Sequence, residues 1–314
     1  MRVNRVRQNL FPILAALIWG TAFVAQSMGA NYVEAFTFNA ARSLIAFVLL
    51  AAASLLLRRF RCTPEERARR RAPRYRRDLL VGGVCCGTAL AVATNLQQKG
   101  LETTSSGKAG FITAMYIVIV PILGIFLKKH IPWTVWLGVA VAVAGLYCLC
   151  IQENSFSIST GDFYIVLCAV CFSVQILLID HFANRVEGIE LSCAQFFMVT
   201  VLSGIGMAAT EHPSLAALRE CIWPLLYVGV LSSCVAYTLQ ILAQKDSNPT
   251  VVSLLLSLEA VFATVAGALI LHDRMTGREY LGCALMLVAV VLAQIPAPAL
   301  GKRREPTPDH RHQE

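Results

Sequence analysis

Residues 251–271 read VVSLLLSLEAVFATVAGALIL, an apolar run with a single charge, Glu259, near its middle. In water such a run would be a buried core helix with a paired acid. In a bilayer an ionised acid at that depth is costly enough to suggest function. The solvent this stretch was written for therefore decides the fold.

The rest of the chain supplies the answer. Its 314 residues are 56% hydrophobic and 15% charged, with a mean hydropathy of +0.62. Soluble domains are about 45–50% apolar and about 25% charged. A helix crosses a hydrocarbon core about 30 Å thick with roughly 20 predominantly apolar residues. Ten such runs occur, at residues 10–29, 34–57, 79–98, 106–127, 132–151, 161–180, 189–209, 222–243, 250–271 and 277–296. The pattern predicts an all-α integral membrane protein with ten transmembrane helices. The first run follows MRVNRVRQN, as in a signal peptide, but it exceeds the about 7–15 apolar residues of a cleaved leader and reads as an uncleaved span.

Basic residues set the orientation. With the N-terminus cytoplasmic and ten spans, 21 of the 27 Lys and Arg fall on the cytoplasmic side, ten of them between Arg58 and Arg77. Both termini are expected in the cytoplasm of a cell with this protein in its plasma or inner membrane. The segment RRFRCTPEERARRRAPRYRRD could also contact anionic lipid, but its position between two spans accounts for it, and nucleic acid is not an expected partner. The Pro-rich tail 297–314 reads as disordered. The eleven cysteines lie almost entirely in apolar runs and read as small apolar filler.

A weak internal repeat runs along the chain. LLVGGV (79–84) returns as LLYVGV (225–230), and WLGVAVAVAGLYCL (136–149) as YLGCALMLVAVVLA (280–293). The offsets divide the chain into two five-span units, 10–151 and 161–296. Because five is odd, the second unit would enter the membrane from the opposite side. Inverted repeats of this kind place substrate sites near the midplane of secondary transporters.

Three stretches carry a resemblance to a known family. LAALIWGTAFVAQSMGANYVEAFTFNAARSLIA (14–46), GKAGFITAMYIVIVPILGIFLKK (107–129) and LEAVFATVAGALILHDRMTGREYLGCALMLVAVVLAQ (258–294) resemble EamA-type members of the drug/metabolite transporter superfamily. The likeness covers about residues 10–296, and it departs at His272-Asp273, where the family more often shows Gly-Glu. It implies ten helices in two inverted five-helix repeats around a central cavity. It also implies secondary transport of small metabolites, often export of amino acids or related compounds.

Catalytic motifs are not in evidence. The six histidines lie at span ends or in the tail, which leaves no intramembrane metal cluster, and neither HExxH nor GxSxG occurs. GLETTSSGK (100–108) misses the Walker spacing. No cofactor or metal is expected.

Polar residues within spans are the candidates. Glu259 would be neutral, exchange a proton as a cavity hydrates, pair with a cation, or simply tie helices together. Arg42, which cannot shed its charge, could face substrate, snorkel to the interface or make a structural pair. Lys108 opens the fourth span and could equally be surface-exposed. Trp19 and Tyr237 suit aromatic walls. Gln26, Asn95, Gln98, Tyr116, Gln175, Gln195 and Gln240 carry amide and phenol groups suited to a zwitterion or polyol. On a continuous helix, Ala263 and Ala266 share the Glu259 face, while Ser253, Ser257 and Thr264 gather opposite. Those hydroxyls could glue helices together or bond back to their own helix. Gly83 and Gly87 form a GxxxG suited to close helix packing.

The expectation is a secondary transporter of small, amino-acid-like or related polar solutes, exporting by alternating access with proton coupling at Glu259. An uptake permease is the alternative in the same fold; a membrane-embedded enzyme or a scaffold is the alternative outside it. The oligomeric expectation is a monomer or homodimer.

Overall fold

A computed structural model describes residues 2–60, 63–104, 106–128, 131–150, 159–245, 247–270 and 276–295. Regular structure among them is entirely helical. The first half comprises α1 (Arg2–Ala30), α2 (Ala35–Phe60), α3 (Pro64–Arg71), α4 (Pro73–Gly100), α5 (Ser106–Ala114), α6 (Tyr116–Phe126) and α7 (Trp133–Cys150). The second comprises α8 (Thr160–Phe182), α9 (Gly188–Thr210), α10 (Leu215–Glu220), α11 (Ile222–Leu226), a π-helical segment (Tyr227–Ala236), α12 (Tyr237–Gln244), α13 (Pro249–Leu256), α14 (Glu259–Ile270) and α15 (Gly277–Gln294).

Eight helical stretches among the described residues are long and apolar enough to cross a membrane, and Trp133–Cys148 is a shorter apolar helix. Their outward faces carry large apolar side chains, including Phe126 at 79%, Trp223 at 77% and Leu80 at 69% exposure. Such a surface is unfavourable in water and matched to lipid. The chain is a multi-pass membrane protein.

Helix starts follow local chemistry. Capping boxes open α3 (Thr63 with Glu66), α8 (Ser159 with Asp162) and α15 (Thr276 with Glu279). The first of these builds a short helix inside the basic 58–78 loop, where the sequence reading placed only a connection. Its last turn holds Arg69, Arg70 and Arg71, where cations suit the helix dipole.

The expected helices 106–127 and 250–271 are interrupted, and 222–243 is helical throughout but passes through a π-helical segment. Within 250–271, Leu258 N–H bonds the Leu255 carbonyl and Ala260 N–H the Ser257 carbonyl, three residues back. The helix tightens there and separates α13 from α14. Ser253 and Ser257 bond back to the carbonyls of Thr250 and Leu254 at 2.9 and 2.7 Å, local competition that favours the break. The α5–α6 break is similar, with Met115 N–H on the Ile112 carbonyl and Val118 N–H on Met115. Thr264 also bonds back, to Ala260, so the hydroxyl stripe is not glue between helices.

Packing pairs α7 with α15, α2 with α9, and α4 with both α8 and α9. Glycines permit close approaches. A Cβ on Gly83 would stand 2.6 Å from the Ala194 Cβ, and one on Gly87 2.8 Å from the Gln195 carbonyl oxygen. The α2–α9 pair is latched by an acid at each end of α9, Glu190 in its first turn and Glu211 just past its last. Glu190 accepts from Arg58 (2.9 Å), Arg70 (2.6 Å) and the Tyr75 hydroxyl (2.6 Å). Glu211 accepts from the Phe36 and Thr37 backbone N–H groups (2.8 and 2.6 Å) and the Thr37 hydroxyl (2.7 Å), capping the start of α2.

Nine described cysteines are free thiols. Cys168 and Cys171 stand in a CxxC spacing within α8. No group of three or more His, Cys, Asp or Glu among the described residues could hold a metal. The tail and His272-Asp273 lie outside the described residues.

Candidate functional site

One cavity collects the interior ends of the broken helices. Its walls come from α1, α2, α4, α5, α6, α8, the π-helical segment, α12, α13 and α14. Helical spacing explains the contributions: Trp19, Phe23 and Gln26 follow i, i+4, i+7 along one face of α1, and Phe172, Gln175 and Ile176 recur at i, i+3, i+4 on α8. The π-helical segment supplies Ser232, whose carbonyl accepts from the Trp19 indole N–H at 3.4 Å. Insertions of that kind are frequent at functional sites.

Aromatic rings form one side. Trp19 and Tyr237 have centroids 4.7 Å apart, tilted by 58°, and Phe196 meets Tyr237 edge-on at 5.5 Å. The amides form another. Gln240 donates to Gln175 (3.4 Å) and Gln175 to Gln195 (3.5 Å), while Gln97 donates to the Thr113 hydroxyl (3.3 Å).

Two buried ionisable side chains line this space. Arg42 is 3% exposed; its Nη1 donates to Gln26 Oε1 at 3.1 Å and its Nε has no partner. Its guanidinium carbon also lies 5.9 Å from the Phe38 ring centroid, so it does not snorkel to the surface. Glu259 is 4% exposed and accepts from the Tyr116 hydroxyl at 3.2 Å. Neither makes an ion pair within 4.0 Å; the ion pairs among the described residues are Arg58–Glu190, Arg70–Glu190 and Lys99–Glu102. A fixed cation and an acid therefore share one cavity without neutralising each other directly. The cation can receive a carboxylate, and the acid can receive an ammonium or a proton.

The cavity has a volume of about 40 Å³, on a scale where one water needs about 10–15 Å³. Admitting a metabolite therefore requires the walls to part.

Of the residues singled out in the sequence, Trp19, Gln26, Arg42, Tyr116, Gln175, Tyr237, Gln240 and Glu259 line this cavity. Asn95 does not. It donates to the Ala91 carbonyl and the Ser203 hydroxyl at 2.7 and 2.8 Å and accepts from Asn39 at 3.0 Å, joining α2, α4 and α9. Gln98 also stands outside the lining, holding the Gln26 carbonyl at 3.1 Å. The Lys108 side chain lies outside the described residues. Phe23, Gln97, Thr113, Phe172, Ile176, Ser232 and Leu256 were missed. The spacing from Trp19 to Gln26 could have found Phe23, whereas nothing in the sequence distinguishes Gln97 from Gln98.

An apolar multi-pass bundle with interrupted helices meeting at a polar cavity is the architecture of a membrane transporter. The sequence pattern of the EamA-like transporter family matches residues 7–151 and again residues 159–294, and the chain belongs to that family. It is 27% identical over 299 residues to an uncharacterised transporter of Archaeoglobus fulgidus, covering 93% of this chain and 87% of the relative. It is 24% identical to a probable terminal-alkyne amino-acid exporter of Streptantibioticus cattleyicolor, over 72% of each chain. Among solved structures, one crystal structure superposes with a TM-score of 0.75 at 19% identity, covering 91% of this chain and 96% of the other. That likeness concerns the fold.

Proposed function

We propose that this chain is a secondary active exporter of small zwitterionic, amino-acid-like solutes, working by alternating access and coupled to protons through Glu259. The observation that carries the reading is the juxtaposition in one cavity of Arg42 and Glu259, both buried and neither ion-paired. A zwitterion presents a carboxylate to the first and an ammonium to the second. The amide wall suits its polar backbone, and the Trp19–Tyr237 wall suits an apolar side chain. When no solute is bound, a proton neutralises Glu259 in its place, so solute and proton exchange at one acid. The probable terminal-alkyne amino-acid exporter of Streptantibioticus cattleyicolor supports both the substrate class and the direction.

Ten spans in two inverted units complete the proposal. The units are α1, α2, α4, α5–α6 and α7, then α8, α9, α11–α12, α13–α14 and α15. Supporting this are the double family match, the pairing of α7 with α15, and breaks at corresponding places in the fourth and ninth spans. The basic 58–78 loop supports cytoplasmic termini in a cell membrane.

Counterflow in proteoliposomes tests the substrate class. Vesicles preloaded with unlabelled amino acids should accumulate the labelled compound, and vesicles loaded with polyols or dicarboxylates should not. Accumulation of only non-zwitterionic solutes would refute it.

A further inference from the structure

A second hollow lies where α2 ends, the chain turns through α3 and α4 begins. It has a volume of about 280 Å³ and is lined by Arg58, Arg67, Arg70, Arg71 and Arg76, with Tyr75 and Leu79. Guanidinium groups stay charged at any physiological pH, so five around one space make a strongly positive site. Glu190 supplies one negative charge, already engaged by Arg58 and Arg70. No carboxylate among the described residues lies within 4.0 Å of Arg67, Arg71 or Arg76. The nearby Glu66 is turned to its own helix cap and the neighbouring hollow. The site therefore keeps an excess of positive charge, and its planar donors match phosphate oxygens.

The flanks of this hollow are apolar and outward-facing. On the last turns of α2, Leu55, Leu56 and Phe60 are 65%, 56% and 73% exposed, and on the first turns of α4 Leu80 is 69% exposed. A basic pocket continuous with lipid-facing surface fits an amphiphile better than a freely soluble anion.

We infer that this hollow binds the phosphate headgroup of an anionic phospholipid, with the acyl chains lying along α2 and α4. The lipid would hold α3 against the bundle beside the Glu190 contact that closes one end of the α2–α9 pair. The shared chemistry, a phosphate in an arginine pocket, could also be met by a soluble phosphate, and the test separates the two.

Native mass spectrometry of the full-length protein in detergent measures bound dioleoylphosphatidylglycerol in competition with dioleoylphosphatidylcholine. The triple variant R67A/R71A/R76A leaves the Glu190 ion pairs intact and should lose at least about ten-fold of the preference for the anionic lipid. The control R59A/R74A/R77A removes the same charge from arginines outside the hollow and should lose markedly less of the preference than the triple variant. Equal losses in both would mean diffuse surface charge and overturn the site. Where the triple variant does not fold, Arg71→Ala against Arg74→Ala reads the same contrast. In a parallel arm, inorganic pyrophosphate is titrated against the lipid-bound protein. Retention of the lipid supports the proposal, and its displacement at micromolar pyrophosphate would assign the pocket to a soluble anion instead.

Discussion

The Tyr116 hydroxyl donates to Glu259 at 3.2 Å, and each residue is the first of a helix that follows a break. Tyr116 opens α6 after the interruption at Met115, and Glu259 opens α14 after the interruption at Ser257 and Leu258. The bond thus joins the two weak points of the fourth and ninth apolar runs across the cavity. A rearrangement that parts α6 from α14 breaks this bond, which makes the contact a reporter of opening on that side of the cavity.

Tyr116→Phe keeps the ring and removes the donor. A buried acceptor left without its bond loses about 1–3 kcal/mol, so the melting midpoint should fall modestly with folded yield retained. Counterflow should fall with it. An unchanged transport rate would separate this bond from the transport cycle.

Arg42→Lys keeps a positive charge but loses the planar fork, and Arg42→Ala loses both. If Arg42 receives a carboxylate, both should fold, and both should weaken solute binding by about ten-fold or more, Ala the further. Ligand-induced thermal shifts on purified protein measure this. A loss of folded protein in both variants with unaltered affinity in the remainder would make Arg42 structural.

Gly20→Val tests how α1 seats against α14. A Cβ at Gly20 would stand 2.6 Å from the Glu259 carbonyl oxygen and 2.8 Å from the Ala263 nitrogen, both backbone atoms. The helices must separate to accept it, at a cost of about 1–3 kcal/mol. Reduced thermal stability and impaired transport should appear together.

Glu211→Gln removes the charge that caps α2. Three bonds to Phe36 and Thr37 weaken, and about 1–3 kcal/mol of stability should be lost. Because Glu211 does not line the cavity, solute affinity of the folded protein should be unaltered. Thermal melts with and without solute measure both effects.

The membrane class was legible because hydrocarbon demands long apolar runs, and composition alone reports them. The interruptions were not. A Ser or Met inside an apolar run leaves hydropathy unchanged, so Ser257 and Met115 gave no sign that the helix tightens beside them. For the same reason the 100°-per-residue projection across 251–271 treated two helices as one. In the site, burial of a charge singled out Arg42 and Glu259, because charge is expensive in lipid and stands out in the sequence. Amides stand out less. Asn95 and Gln98 resemble Gln97 in the sequence, and only the rotation of α4 separates lining from packing. The Glu190 and Glu211 latches join residues more than a hundred positions apart, a relationship no local pattern carries.

Glu259 is proposed as the acid shared by proton and solute. Its most direct test is solute flux in proteoliposomes under an imposed pH gradient, comparing the native protein with Glu259→Gln. The native protein should move solute faster as the gradient steepens, and Glu259→Gln should lose that response. If Glu259→Gln transports at the native rate with the native dependence on the gradient, Glu259 is not the coupling site and the central claim is wrong.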